Sequence, residues 1–265
     1  MDFRRAIRRA RARLFTNACA TPFAAVVYAG NGDTHRTKVI RISGPISTQA
    51  LTKLNLALNR FDNTDPIPAG LIVLLNSPGG DGEIAMQMGR LLRQHHAHIF
   101  VTQQCDSACV FLLMGGVVRA ARPGTLGVHA GRLTVMTGDG NIVKEVDANR
   151  SLNHSFQLAS YNRDTRLYLQ EMGIDHRILD VMLAHRTPQV YQLNTEEMRQ
   201  YQLTGFDNAY LNQRVQLLES QQETRQINRV SLFTRTMSVP VICQSKVASD
   251  QAFIGCYRSV LSTKF

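Results

Sequence analysis

Short unbroken apolar runs and longer amphipathic stretches alternate along the first half of the chain. Residues 38–42 (KVIRI), 71–75 (LIVLL) and 99–102 read as strands, the second buried on both faces. Gly44-Pro45 closes the first, and Ser47 caps a helix with Leu51, Leu54, Leu58 and Phe61 on one face. Residues 62–70 read as a loop and 76–80 as a turn. Asp81 then caps a helix whose predicted core face is Ile84, Met88, Leu91 and His95. Residues 107–114 are helix-compatible up to Gly115-Gly116, and 117–119 and 125–128 read as short strands. This order predicts an α/β fold with a mainly parallel sheet and right-handed crossovers.

Beyond Gly140 the pattern turns helical. Leu152, Phe156 and Ala159 predict one helix face running toward Met172, and residues 174–185 a second helix. Asn194 and Glu197 form a capping-box signature for a short helix ending near Gly205. From residue 213 Gln, Arg and Ser rise and apolar spacing is lost until Val239. The expected division is a basic arm or degenerate export signal over 1–30, an α/β domain over 31–212, and a C-terminal extension over 213–265.

With 44% hydrophobic and 19% charged residues over 265, the chain can bury a sizeable core and is not a disordered one. It has no apolar run of membrane-spanning length and no internal repeat. The net charge is +10, but Arg4, Arg5, Arg8, Arg9, Arg11 and Arg13 against Asp2 put +5 of it in the first 13 residues. With no zinc-finger spacing, no aromatic–basic interleaving and no Trp, nucleic acid is not the expected partner. Ala18-x-Ala20 after the arm looks like a signal-peptidase site, although Asn17 interrupts the apolar stretch. Of five cysteines, Cys105 with Cys109 and Cys243 with Cys256 are locally pairable, leaving Cys19 over. A four-residue helical spacing brings Cα atoms to about 6 Å, within disulfide range. Two such pairs favour a periplasmic or membrane-associated location over a cytoplasmic one.

Three segments carry candidate chemistry. Residues 76–82 (NSPGGDG) follow a strand and open a helix, where glycines let backbone N–H groups approach a ligand or oxyanion. No Gly-Lys-Ser/Thr follows, so this is not a phosphate loop. Residues 105–109 (CDSAC) place Ser107 at the start of the next helix, as a nucleophile or as a helix cap. Residues 127–131 (GVHAG) end a strand at His129, a base or a buried structural histidine. Nucleophile, base and oxyanion donor thus fall at strand ends on one side of one sheet.

The succession Ser-Pro-Gly-Gly, a serine 27 residues after Gly80, and Gly-Val-His 22 residues after that resembles the Clp protease proteolytic subunit. It is closer still to the Clp-related, often exported bacterial proteins of the ClpP/crotonase superfamily, whose serine lies in Ser-Ala-Cys. The resemblance covers residues 37–207. It implies a crotonase-like spiral and a serine endopeptidase acting on peptides or unfolded proteins, without metal or other cofactor. Ser107 would be the nucleophile, His129 the general base, and the Gly80 and Ala108 N–H groups the oxyanion hole. Residues 150–172 would match the family's helical handle, implying a homo-oligomer. With no nucleotide motif here, any ATP dependence would need a separate unfoldase.

One departure stands out. Where the family has an orienting Asp, this chain has Val190, flanked by Pro188 and Gln189, while Asp175 and Asp180 belong to a helix. A backbone carbonyl, a water or an amide would then orient His129. An inactive scaffold or binding subunit on the same fold is the alternative, followed by acyl-CoA chemistry through the oxyanion hole alone. A zinc site of Cys105, Cys109 and His129, a metal cluster at His95, His96 and His98, and a Ser107–Lys144 dyad are weaker readings of the same residues.

Overall fold

The computed structural model describes residues 37–59, 70–137, 142–147, 151–186, 189–220 and 228–262. The basic arm, the Ala18–Ala20 motif, Cys19, Phe61 and Pro188 lie outside the described residues. The first half runs β1 (Lys38–Ser43), α1 (Thr48–Leu58), β2 (Leu71–Ser77), α2 (Gly82–Gln94), β3 (His98–Asp106), α3 (Cys109–Met114), β4 (Val118–Ala120) and β5 (Leu126–Val128). A hairpin, β6 (Leu133–Met136) and β7 (Ile142–Val146), leads to α4 (Leu152–Glu171) and α5 (Arg177–Ala184). The remainder is β8 (Tyr191–Gln192), α6 (Thr195–Gln200), β9 (Gly205–Phe206), α7 (Asn208–Ser220), α8 (Arg229–Ile242) and α9 (Asp250–Ser262).

The fold is α/β around a mixed, mainly parallel sheet. Strands β1, β2 and β3 pair in parallel. The nine residues of β3 serve two neighbours, with His98–Phe100 pairing β4 and Cys105–Asp106 pairing β5. Strands β9 and β8 then add antiparallel to β4 and β5. This fork leaves the ends of β2, β3 and β5 side by side, which positions the candidate site.

Alternation along the strands builds two cores. Ile40, Ile42, Leu71, Val73, Leu75 and Ile99 face α1, α2, α3 and the end of α4. Val39, Ile72, Leu74, Phe100 and Val118 face the opposite way, against Leu232, Val239, Phe253 and Tyr257 of α8 and α9. Covering both faces explains why the strands read as continuous apolar runs. Leu232 and Thr236, buried at helical spacing before Val239, give α8 an inward face that begins earlier than the sequence pattern indicated. The Cys243–Cys256 disulfide, an Arg41–Asp250 ion pair and an Arg41 Nη2 bond to the Val247 carbonyl at 2.8 Å tie these helices together and to β1.

The caps are local and legible. Ser47, Asp81 and Asn194 accept from Ala50, Ile84 and Glu197 N–H, and Asn194–Glu197 closes as a capping box. Three expectations are corrected. On α2 Met88 is buried and Ile84 and Leu91 pack against the core as expected, but Ala85, Met86, Gly89 and Leu92 are the other buried residues, and His95 lies beyond the last turn at the C-cap. The buried Gly89 lies against the ring of Tyr168. On α4 the Leu152, Phe156, Ala159 face points to solvent, and the inward residues are Thr165, Tyr168 and Leu169. The helical reading also passed over β6–β7, whose register couples Leu133 to Val146 and Val135 to Lys144.

Candidate functional site

Two turns meet at the carboxyl ends of β2 and β3. In the first, the buried Ser77 Oγ donates to the Gly44 carbonyl at 2.7 Å and accepts from Gly79 N–H at 3.1 Å. Gly79 and Gly80 follow at φ +102° and +144°, in the region only glycine enters freely. Ile46 N–H donates to the Gly79 carbonyl at 2.8 Å, and Asp81 N–H to the Ile46 carbonyl at 3.0 Å. These two bonds bracket Gly80, whose own N–H has no acceptor among the described residues.

In the second turn, Cys105 N–H donates to the Thr125 carbonyl at 2.8 Å and Ser107 N–H to the Gly127 carbonyl at 2.7 Å, stitching the turn to β5. A disulfide joins Cys105 to Cys109 across it. Ser107 stands at φ +57°, a left-handed conformation that strains a non-glycine residue. The helix-cap reading of this serine is therefore corrected. The cap position belongs to Ala108, and no side chain fills it. The Ala108 N–H, like that of Gly80, has no acceptor among the described residues. The turns are in contact: a Cβ on Gly79 would fall 2.8 Å from Ser107 Cβ and 3.2 Å from Ala108 N.

His129 leaves the end of β5. Its Nδ1 lies 2.7 Å from the carbonyl of Ala130. A carbonyl only accepts, so Nδ1 carries a proton and Nε2 is the nitrogen left for a base's work. Ala130 is itself fixed, its N–H donating to the His185 carbonyl at 2.9 Å.

Ser107, Ala108, His129 and Gly80 line one groove of about 560 Å³. Its walls come from Leu133, Thr134 and Ile142 of the hairpin and from Gln157, Leu158 and Tyr161 of α4. Tyr161 was not singled out from the sequence. Burial holds its phenol well above the usual tyrosine range, so it stays protonated, and the absence of side chains at Gly82 and Gly131 makes room for its ring. A recess of about 30 Å³ beside Ser107 is lined by Phe111, Val128, Leu179 and Met182.

The other candidate residues make no hydrogen bond to the Ser107 or His129 side chain among the described residues. Asp106 accepts from Gln192 Nε2 at 3.1 Å. Asp175 is bound by Arg177, whose hydrogen bonds hold its carboxyl at about 2. Asp180 is exposed on α5, and Val190 lines the groove as an apolar residue. Lys144 sits exposed on β7, away from the groove lining. The histidine cluster is split: His95 caps α2, His96 turns at φ +49°, and His98 is buried between Tyr210 and Tyr257. Disulfide bonding removes Cys105 and Cys109 as thiolate ligands, and no group of three or more His, Cys, Asp or Glu among the described residues could hold a metal. No described helix is long and apolar enough to cross a membrane.

No protein-family model matches the chain, and no curated protein does. Among solved structures, it is similar to a serine-to-alanine mutant of the 1510-N membrane-bound stomatin-specific protease. That likeness has a TM-score of 0.44 and 17% identity, covering 69% of this chain and 84% of the other. No residue role is carried over from it.

Proposed function

We propose that the chain is a serine endopeptidase with a crotonase/ClpP-like fold, acting on peptides or unfolded proteins. The observation that carries the reading is Ser107, held in a strained turn at the end of β3 with the unpaired Ala108 N–H beside it and His129 in the same groove. Ser107 Oγ attacks the scissile carbonyl as His129 Nε2 takes its proton. The carbonyl oxygen becomes an oxyanion facing the Gly80 and Ala108 N–H groups. His129 then returns the proton to the leaving amine, and water releases the acyl group by the same route. The shallow recess beside Ser107 suits a small apolar side chain next to the cleaved bond. Degradation of unfolded casein by wild type, with at least about a thousandfold loss in Ser107→Ala, is the expected result. Equal turnover in the two would remove Ser107 from the mechanism.

An inactive binding subunit is the second reading, favoured by the bond of His129 to a backbone carbonyl in place of a carboxylate. Substituting the orienting Asp of a serine protease lowers turnover by about 10⁴. A carbonyl fixes the same tautomer but adds no full negative charge beside the developing imidazolium. The proposed enzyme is accordingly slow. We further propose a homo-oligomer, since Leu152 and Phe156 on α4 are 91% and 69% exposed in the single chain. In the cytoplasm a separate unfoldase would feed the groove; outside it, cleavage would be ATP-independent.

A further inference from the structure

Arg119, in the middle of β4 opposite Gly205, carries a buried charge with no anion of its own among the described residues. The residue is 2% exposed. Its Nη1 donates to the Gly116 carbonyl at 2.9 Å, and its Nε meets no acceptor among the described residues. The nearby carboxylate, Asp207, is bound to Arg93 at 2.9 Å. Burial first, and then the Arg93 charge, push the guanidinium down to about 10, against a partial opposing pull from Asp207. An unpaired buried cation is among the costliest arrangements in a protein interior.

The same side chain lines a pocket of about 380 Å³. Met172, Phe206, Leu211 and Phe233 supply apolar surface there, and Asp207, its charge met by Arg93, also lines it. Arg199, also lining the pocket, is occupied by Glu196 through bonds of 2.6 and 3.1 Å. One guanidinium with no carboxylate partner among the described residues, set beside apolar walls, matches a planar singly charged acid better than a phosphate, which would call on both arginines. The site is separate from the Ser107 groove. Helix α4 meets the groove along its first half, through Gln157, Leu158 and Tyr161, and this pocket at its C-cap, Met172. We propose that this pocket binds an organic carboxylate with an apolar substituent, paired to Arg119. The carboxylate could belong to a free acid or to the C-terminus of a peptide.

Calorimetric titration with hexanoate, hexanamide, and the tripeptide Ala-Ala-Phe with a free or amidated C-terminus tests this. Performing it in Ser107→Ala keeps the groove from consuming the peptides. The expected result is binding of hexanoate or the free-acid tripeptide, neither neutral amide binding, and a loss of at least about tenfold in Arg119→Met. Hexanoate binding alone assigns the site to free acids; binding of the tripeptide acid extends it to chain ends. Should Arg119→Met not fold, Phe233→Ala serves instead, with severalfold weaker binding expected. Equal binding of acid and amide, no binding of either acid, or unchanged binding in the variant would overturn the proposal.

Discussion

At Ser107 the backbone is bent so that the residue's own N–H is tied to Gly127 while the next N–H, on Ala108, has no acceptor among the described residues. In the proposed mechanism the strain has a chemical use, because a relaxed helical start would have drawn the hydroxyl into capping. Gly79 is the residue on which this most visibly depends. In Gly79→Ala the new methyl meets the Asp106 carbonyl at 2.7 Å and Ser107 Cβ at 2.8 Å, at a φ that alanine rarely adopts. The expected outcome is a folded protein, by circular dichroism, with at least about 10²-fold slower peptide hydrolysis, as when one oxyanion donor is displaced. The residue types, and a backbone carbonyl as one of three groups left to orient His129, were legible in the sequence; the strained geometry was not. NSPGGDG, CDSAC and GVHAG could be named as candidates, but the left-handed serine leaves no residue signature, and which of the three possible groups orients His129 could not be read from residue types. Backbone groups are common to every residue, so a search for a third carboxylate at Val190 had nothing to find.

Among the elements, those readable from sequence were the ones whose local signals agree with their packing. Strands β1, β2 and β3 are apolar because both faces are covered, and α1 and α6 announce themselves by their caps. Helix α4 shows the limit. Its clearest apolar spacing, Leu152 and Phe156, faces out, and its core contact is made by Tyr168. The Tyr168 hydroxyl donates to the Phe111 carbonyl at 2.6 Å, and burial holds its phenol well above the ordinary range. A raised folded-state value means stability fully present below the unfolded value of about 10 and lost as pH rises beyond it. Arg119 acts in the opposite sense, since its penalty is relieved as it deprotonates above about 10. Comparison with Tyr168→Phe isolates the tyrosine. That variant is expected to be about 1 kcal/mol less stable near neutrality, with a shallower fall in melting temperature between about pH 9 and 11. An alkaline fall identical to wild type would contradict the assignment.

For the whole molecule, the sheet is the common floor of two cores, and the C-terminal helices are needed to cover its second face. That role was hidden because α8 contributes few strongly apolar inward residues, and its partners Val39, Ile72 and Leu74 lie far away in sequence. The exposed face of α4 belongs to this scale too. Light scattering on Leu152→Gln/Phe156→Ser is expected to show a smaller particle than wild type, with the fold retained; an unchanged mass would remove that face from any assembly. The central claim remains that Ser107 is an activated nucleophile whose base is His129. Fluorophosphonate labelling of wild type beside Ser107→Ala and His129→Ala tests it most directly. The account predicts labelling in wild type, none in Ser107→Ala, and a strong loss in His129→Ala. An unlabelled, folded wild type, or labelling that survives Ser107→Ala, would contradict it.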